Sequence, residues 1–186
     1  MTAAAKSIVV LGDSISAGYG IEVSQGWVAL LQEKLNEKDI NYIIYNESIS
    51  GDTTAGGLAR IDRTLAMHKP DVVIIELGAN DGLRGLPPKL IKSNLAEITR
   101  RAQHAGAKVL LLAMKIPPSY GKRYTELFYT IYSQLATELE VPYVPFIMEN
   151  VALTKDMMQQ DGLHPNAQGQ PFIADKVWPL LLPLLK

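Results

Sequence analysis

Val72-Val73-Ile74-Ile75-Glu76-Leu77 runs directly into Gly78-Ala79-Asn80-Asp81. A nearly continuous apolar run of this length, closed by a glycine, reads as a strand buried on both faces rather than one that alternates between core and water. Four further short β-branched or aliphatic runs resemble it, at residues 7–11, 42–45, 109–114 and 143–146. Between the runs, apolar residues return at helical spacing. Trp27, Leu30, Leu31 and Leu35 share one face, as do Leu58, Ile61 and Leu65. Leu90, Leu95, Ile98 and Ala102 continue the pattern, then Leu127, Ile131, Leu135 and Leu139, and finally a segment from Ala167 through Ile173, Val177 and Leu180. Strands alternating with helices imply a parallel sheet covered on two sides, so the expected architecture is an α/β fold, a three-layer α/β/α sandwich. No repeat, low-complexity tract or linker interrupts it, and residues 1–186 read as one domain.

Composition narrows the function. A chain of 186 residues buries roughly 70% of its unfolded surface and needs no disulfide or metal staple. With 18 basic against 19 acidic residues the net charge is −1, and the basic excess that a nucleic-acid binder uses to neutralise phosphates is missing. There is no cysteine. Thiolate zinc sites, cysteine-ligated iron–sulfur clusters and cysteine nucleophiles are therefore excluded. No apolar run approaches the ~20 residues of a membrane span, so no stable membrane insertion is expected. The run at residues 8–11 is too short for a signal peptide, and residues 2–5 read either as the remnant of a trimmed signal or as a leader that replaces one.

In parallel sheets of this kind ligands bind beyond the carboxyl ends of the strands, where successive loops converge. Gly12-Asp13-Ser14-Ile15 follows the first strand and Ser48-Ile49-Ser50-Gly51-Asp52-Thr53 lies beyond the second. Gly78-Ala79-Asn80-Asp81 follows the third strand, Lys115-Ile116-Pro117-Pro118 the fourth, and Asp161-Gly162-Leu163-His164-Pro165-Asn166 precedes the last helix. A strand-to-helix turn at Ser14 lifts a hydroxyl into the cleft and sets its amide at a helix N-terminus, where the dipole favours developing negative charge. Taken alone, Asp13 and Ser14 equally read as a helix cap. Of three histidines, His68 and His104 read as solvated helix ends. His164 has Asp161 three residues earlier, a spacing that lets the carboxylate reach Nδ1 while Nε2 faces outward as a base. Gly51 and Asn80 carry N–H groups suited to an oxyanion, and each is also an ordinary turn residue when considered singly. Joint occurrence at the ends of the right strands turns these separate readings into a serine-hydrolase constellation.

Gly12-Asp13-Ser14-Ile15, Gly51, Gly78-Ala79-Asn80-Asp81 and Asp161-Gly162-Leu163-His164 together resemble the blocks of the SGNH (GDSL) hydrolases. The similarity is greatest to that family's bacterial thioesterase, lysophospholipase and arylesterase branch, and it extends from residue 12 to residue 166. Ile15 stands where the family's name has leucine. The resemblance implies a flavodoxin-like sheet of five parallel strands. It also implies Ser14 as nucleophile, the Ser14 and Gly51 amides with the Asn80 side chain as oxyanion donors, and His164 as base with Asp161 behind it. A small-molecule acyl ester or thioester substrate, no cofactor, no metal, a monomer and a periplasmic or secreted enzyme are further implications; the chain's own residues leave a cytoplasmic location open.

An α/β-hydrolase elbow is excluded, because Ser14 lacks the glycine two residues later that Gly-x-Ser-x-Gly requires. A non-catalytic ligand-binding domain of the nucleotide-binding kind lacks its phosphate loop, and no His-Glu-x-x-His metal motif occurs. An acyltransferase on the same scaffold shares every catalytic residue and differs only in the group that accepts the acyl chain. For the acyl chain itself, Gly82-Leu83-Arg84-Gly85-Leu86-Pro87-Pro88 reads as a lid with hinges at Gly82 and Gly85. Leu83 and Leu86 would then close over the chain, with Ile116 and Pro117 as the opposite wall.

Overall fold

The computed structural model describes residues 6–185, so the leader at residues 2–5 lies outside the described residues. Five strands form one sheet in the order β2-β1-β3-β4-β5, with β1 at Lys6–Gly12, β2 at Tyr42–Asn46, β3 at Val72–Glu76, β4 at Lys108–Leu112 and β5 at Tyr143–Val144. Every pairing is parallel. Seven α-helices accompany them among the described residues: α1 (Ser14–Ala17), α2 (Trp27–Glu37), α3 (Thr54–His68), α4 (Ala79–Leu83), α5 (Pro88–His104), α6 (Lys122–Glu138) and α7 (Gln170–Leu181). Helices α3, α5 and α6 pack side by side against one face of the sheet, and α2 packs with α7 against the other. The three layers anticipated from strand–helix alternation are present.

The sheet centre follows the hydrophobic pattern closely. Each residue of β3 is buried, and in β1 only Lys6 is exposed. The edge differs from expectation. Burial on both faces fails at β2, where Ile43 and Tyr45 are 44% and 38% exposed, because an outermost strand has a neighbour on one side only. His68 departs in the opposite sense. Its ring stacks on Tyr45 at 4.3 Å between centroids and its Nε2 lies 2.7 Å from Glu47 Oε1, so the edge strand shelters it. His104 is exposed, with its ring nitrogen bonded to the Arg100 carbonyl at the end of α5.

Helix phase corrects three further readings. Leu90 and Leu127 are 48% and 49% exposed, whereas their neighbours Ile91 and Phe128 are fully buried. One residue rotates a helix position by about 100°, so the stripes Ile91–Leu95–Ile98–Ala102 and Phe128–Ile131–Tyr132–Leu135 are the ones that face the sheet. In α7 the buried series ends on Leu181 rather than Leu180, and residues 167–169 form a turn that precedes the helix.

Register brings the functional loops together. Gly12 pairs with Glu76, so the turn after β1 and the loop after β3 leave the sheet side by side. Ile49 N donates to Gly12 O at 3.0 Å, which draws the loop beyond β2 to the same edge.

Candidate active site

Ser14 opens α1, a single helical turn capped by the Asp13 side chain, which accepts from Ile15 N. Both readings of Asp13-Ser14 therefore hold at once: the aspartate caps the turn, and the cap fixes the direction of the serine. Ser14 Oγ lies 2.8 Å from His164 Nε2, and His164 Nδ1 lies 2.6 Å from Asp161 Oδ2. Asp161 Oδ1 accepts the amides of Leu163 and His164 at 2.9 and 3.0 Å, so the carboxylate is oriented by its own loop. Burial alone would raise the Asp161 carboxyl. The His164 and Leu163 amides and the His164 ring more than offset it and hold that group at about 2. A carboxylate on Nδ1 leaves Nε2 as the nitrogen facing the serine hydroxyl, the tautomer a general base requires.

Gly51 has φ +81°, and nothing lies within 4 Å of where its Cβ would be, an open, left-handed position that glycine occupies without strain. Asn80 lies in α4, with its side-chain nitrogen donating to Asp52 O at 2.8 Å and, more weakly, to Asp13 Oδ2 at 3.3 Å. The structure thus brings Ser14, Asp161 and His164 into one hydrogen-bonded chain and joins Asn80 to the Asp13 cap beside it.

Sequence reasoning overlooked the residues that support these groups. Arg60 of α3 donates from Nε to Asp52 Oδ2 at 2.8 Å, from Nη2 to Gly12 O at 3.2 Å and from Nη1 to Glu47 O. One guanidinium thereby ties the ends of β1 and β2 to the segment that carries Gly51. Asp81, fully buried, accepts Thr54 N and Oγ1 at 2.9 and 2.5 Å and so holds α4 against the start of α3. Tyr19 sets its ring 4.6 Å from that of His164, and Gln159 Nε2 donates to Tyr19 O at 2.7 Å and to Pro165 O at 3.1 Å. A solitary arginine on a helix or glutamine in a loop carries no spacing signal. Glu76 did carry one, as an acid in an otherwise apolar strand.

The anticipated lid has a different construction. Gly82 lies inside α4, and a Cβ there would come within 2.6 Å of Ile116 Cγ2 and 2.8 Å of Phe128; its missing side chain serves close packing and it is no hinge. Ile116 is buried against Gly82 and stands behind the helix, not opposite it as a wall. Tyr120 and Tyr124 donate their hydroxyls to the Leu83 and Leu86 carbonyls, both at 2.6 Å, and Leu86 packs against the hydrophobic core. Gly85, with φ +67° and open space around it, keeps its freedom, and Leu83 and Pro117 stay half-buried. Two open concavities of about 530 and 570 Å³ are lined by Asp156, Asn166, Ala167 and Gln168 and by residues around Tyr42, and Ser14, Asp161 and His164 line neither. Among the described residues no group of three or more histidine and acidic side chains is placed to hold a metal ion. No helix among them is long and apolar enough to cross a membrane.

Comparison with known proteins gives concordant matches. The family model described as GDSL-like Lipase/Acylhydrolase matches residues 10–171. Esterase TesA of Pseudomonas aeruginosa is 51% identical over 183 residues, covering 98% of this chain and 91% of that protein. Thioesterase 1/protease 1/lysophospholipase L1 of Escherichia coli K12 is 46% identical over 183 residues, covering 98% of this chain and 86% of the other. A crystal structure of TesA superposes with a TM-score of 0.94 at 50% identity, covering 96% of this chain and 99% of that one.

Proposed function

Since the chain belongs to the GDSL-like lipase/acylhydrolase family, we propose that its esterase and thioesterase activity runs by two-step acyl transfer through Ser14. The chain is a serine esterase/thioesterase acting on small-molecule esters; the assignment of its working residues is our own. The observation that carries it is the continuous chain Ser14 Oγ–His164 Nε2–Asp161, with links of 2.8 and 2.6 Å.

In this reading His164 Nε2 takes the Ser14 proton as Oγ attacks the acyl carbonyl. The C–O π bond becomes an oxyanion, received by the Ser14 and Gly51 amides and by the Asn80 carboxamide. Asn80 has one N–H committed to Asp52 and a second only loosely engaged with Asp13, so the second turns to the oxyanion at small cost. His164 then gives its proton to the departing alcohol or thiol. Water then attacks the acyl carbon as the same nitrogen takes its proton, and collapse breaks the bond to Ser14 Oγ, which recovers that proton as the acid leaves. Asp161, ionised far below neutral pH, stabilises the imidazolium in both half-reactions without itself taking the proton.

Aryl esters, acyl-CoA and lysophospholipids are the proposed substrate range, with Leu83 and Pro117 beside the acyl chain. A monomeric working unit and periplasmic or secreted residence follow from the family resemblance. Labelling with a fluorophosphonate probe tests the assignment. Wild type should label and lose activity stoichiometrically, and Ser14→Ala should do neither while retaining its melting temperature. Equal labelling of Ser14→Ala would transfer the nucleophile to another residue.

A further inference from the structure

Glu76 ends β3, opposite Gly12 of β1, and its side chain is fully buried. Its Oε1 accepts both Ser16 Oγ at 2.6 Å and Ser16 N at 3.1 Å. Its Oε2 is buried and receives no donor. Asp13, 1% exposed, directly follows Gly12, the residue that pairs with Glu76, so the two carboxyls are buried side by side and each shifts the other. Its own oxygens are occupied otherwise: Oδ1 accepts Ile15 N at 3.0 Å and Oδ2 accepts Asn80 Nδ2 at 3.3 Å. Two buried carboxyls in contact cannot both ionise, because like charges in a water-poor site repel strongly. One proton must sit between them. Asp13 has accepting bonds on both oxygens, whereas Glu76 has one oxygen with nothing to accept, so the geometry decides which group carries the proton.

We propose that Glu76 is a positioning residue held as a neutral acid, its Oε2–H donating to the Asp13 carboxylate and through it fixing both the Ser14 turn and the Asn80 carboxamide. Glu76 grips α1 from two sides, at Ser16 through Oε1 and at Asp13 through Oε2. The single helical turn that presents the nucleophile is too short to hold itself; the sheet holds it through this acid. Asp13 in turn accepts from Asn80, so an error in the carboxyl pair would be passed to the proposed oxyanion site. Burial and the neighbouring Asp13 charge push the Glu76 carboxyl well above the usual carboxylate range. Burial raises Asp13 to about 6, against the pull of Ile15 N, the Glu76 hydrogen and His164. The other titratable groups facing the pair are Asp52 from the loop after β2 and Tyr132 from α6. The Tyr132 hydroxyl donates to Leu77 O at 2.9 Å.

Difference infrared spectroscopy of the full chain at pH 8, wild type against Glu76→Gln, reads the proton directly. A protonated-carboxyl stretch should appear in wild type and vanish in the variant; its absence from wild type, or its persistence in Glu76→Gln, would overturn the proposal. The catalytic arm rests on the Ser14–Asn80 reading above. Glutamine reproduces a neutral side chain with one acceptor and one donor, so Glu76→Gln should keep kcat within about threefold, with the acid limb of the pH profile unmoved. Glu76→Ala should lose at least tenfold in kcat with KM little changed, the split expected when a transition-state contact is misplaced. Should the alanine variant fail to fold, a folded Glu76→Gln with the same large loss of kcat still refutes the neutral acid. A fully active Asn80→Ala beside a clear Glu76 carboxyl band would sink the site assignment and leave the shared proton standing.

Discussion

Replacing Asn80 by alanine removes one side-chain nitrogen and leaves α4 otherwise intact, since the helix is held by Asp81 on Thr54 and by the tyrosine hydroxyls on Leu83 and Leu86. Two losses follow and they separate experimentally. The first is stability. The Asp52 carbonyl loses a donor at 2.8 Å and Asp13 loses one at 3.3 Å. A made hydrogen bond is worth about 1 kcal/mol net and the longer one less, so the cost is ~1–2 kcal/mol. For a chain of this length that lowers the melting temperature by ~2–8 °C. The second loss is catalytic. Removing one preorganised oxyanion donor costs ~10²–10³ in kcat, or ~2.7–4 kcal/mol of barrier. Because the donor serves charge that exists only in the tetrahedral intermediate, KM should stay within a few-fold. Initial rates with a p-nitrophenyl ester at 25 °C, far below the shifted melting point, give the catalytic term, and scanning calorimetry gives the other. A fall in kcat of less than fivefold, with the melting shift present, would show that Asn80 supports the loop and plays no part in receiving the oxyanion.

Gly82→Ala should destabilise the fold by ~1–3 kcal/mol, because its Cβ would stand 2.6 Å from Ile116 and 2.8 Å from Phe128 in a filled interior; urea denaturation with an unchanged midpoint would restore Gly82 as a free joint. Leu83→Ala should lower kcat/KM for medium and long acyl esters several-fold more than for acetyl esters, since each buried methylene contributes ~0.8 kcal/mol. Equal losses across a chain-length series would remove Leu83 from the acyl path. Asp161 has its folded value depressed, from 3.8 to about 2, so its stabilising contribution is complete above the unfolded value and disappears as pH falls through the folded one. The melting difference between wild type and Asp161→Asn should therefore be constant from pH 5 to 8, small because the carboxylate is 37% exposed, and gone near pH 2. A difference that still grew between pH 5 and 8 would contradict that titration. The acid limb of activity above pH 4 accordingly belongs to groups other than Asp161.

The sheet and the reacting groups were legible because each leaves a local mark. Consecutive apolar residues announce a central strand, and glycine next to serine, asparagine or the Asp161–His164 pair announces what stands at its end. Helix phase was less legible. Leu90 and Ile91, or Leu127 and Phe128, are equally apolar neighbours, and only packing against the sheet decides which turns inward. Supports were legible least. Arg60 acts at three places, and its partners at Gly12 and Glu47 are backbone carbonyls, which every residue possesses and no sequence pattern marks. Gly82 misled because an absent side chain looks the same whether it grants freedom or prevents collision; the ring of Phe128, forty-odd positions later, decides between them.

The nucleophile and the base stand on different foundations. Ser14, Asn80 and the Gly51 segment are bolted to the ends of buried central strands through Glu76, Asp81 and Arg60. His164 and Asp161 sit on a stretch of turns between residues 158 and 169, closed on itself by an isolated bridge from Met158 to Pro165 and tied to the rest by the Met157–Asn166 backbone bond and the Gln159 side chain reaching Tyr19. Opening free energies vary within one molecule and are lowest where buried apolar contacts are few. On warming, the histidine strap should part from the serine before the sheet melts, so that the catalyst is disarmed while the barrel of its lock stays whole. Early loss of activity on warming should then be local and reversed by cooling, ahead of the calorimetric transition, and endurance at high temperature would be engineered at Gln159 and its neighbours rather than in the core.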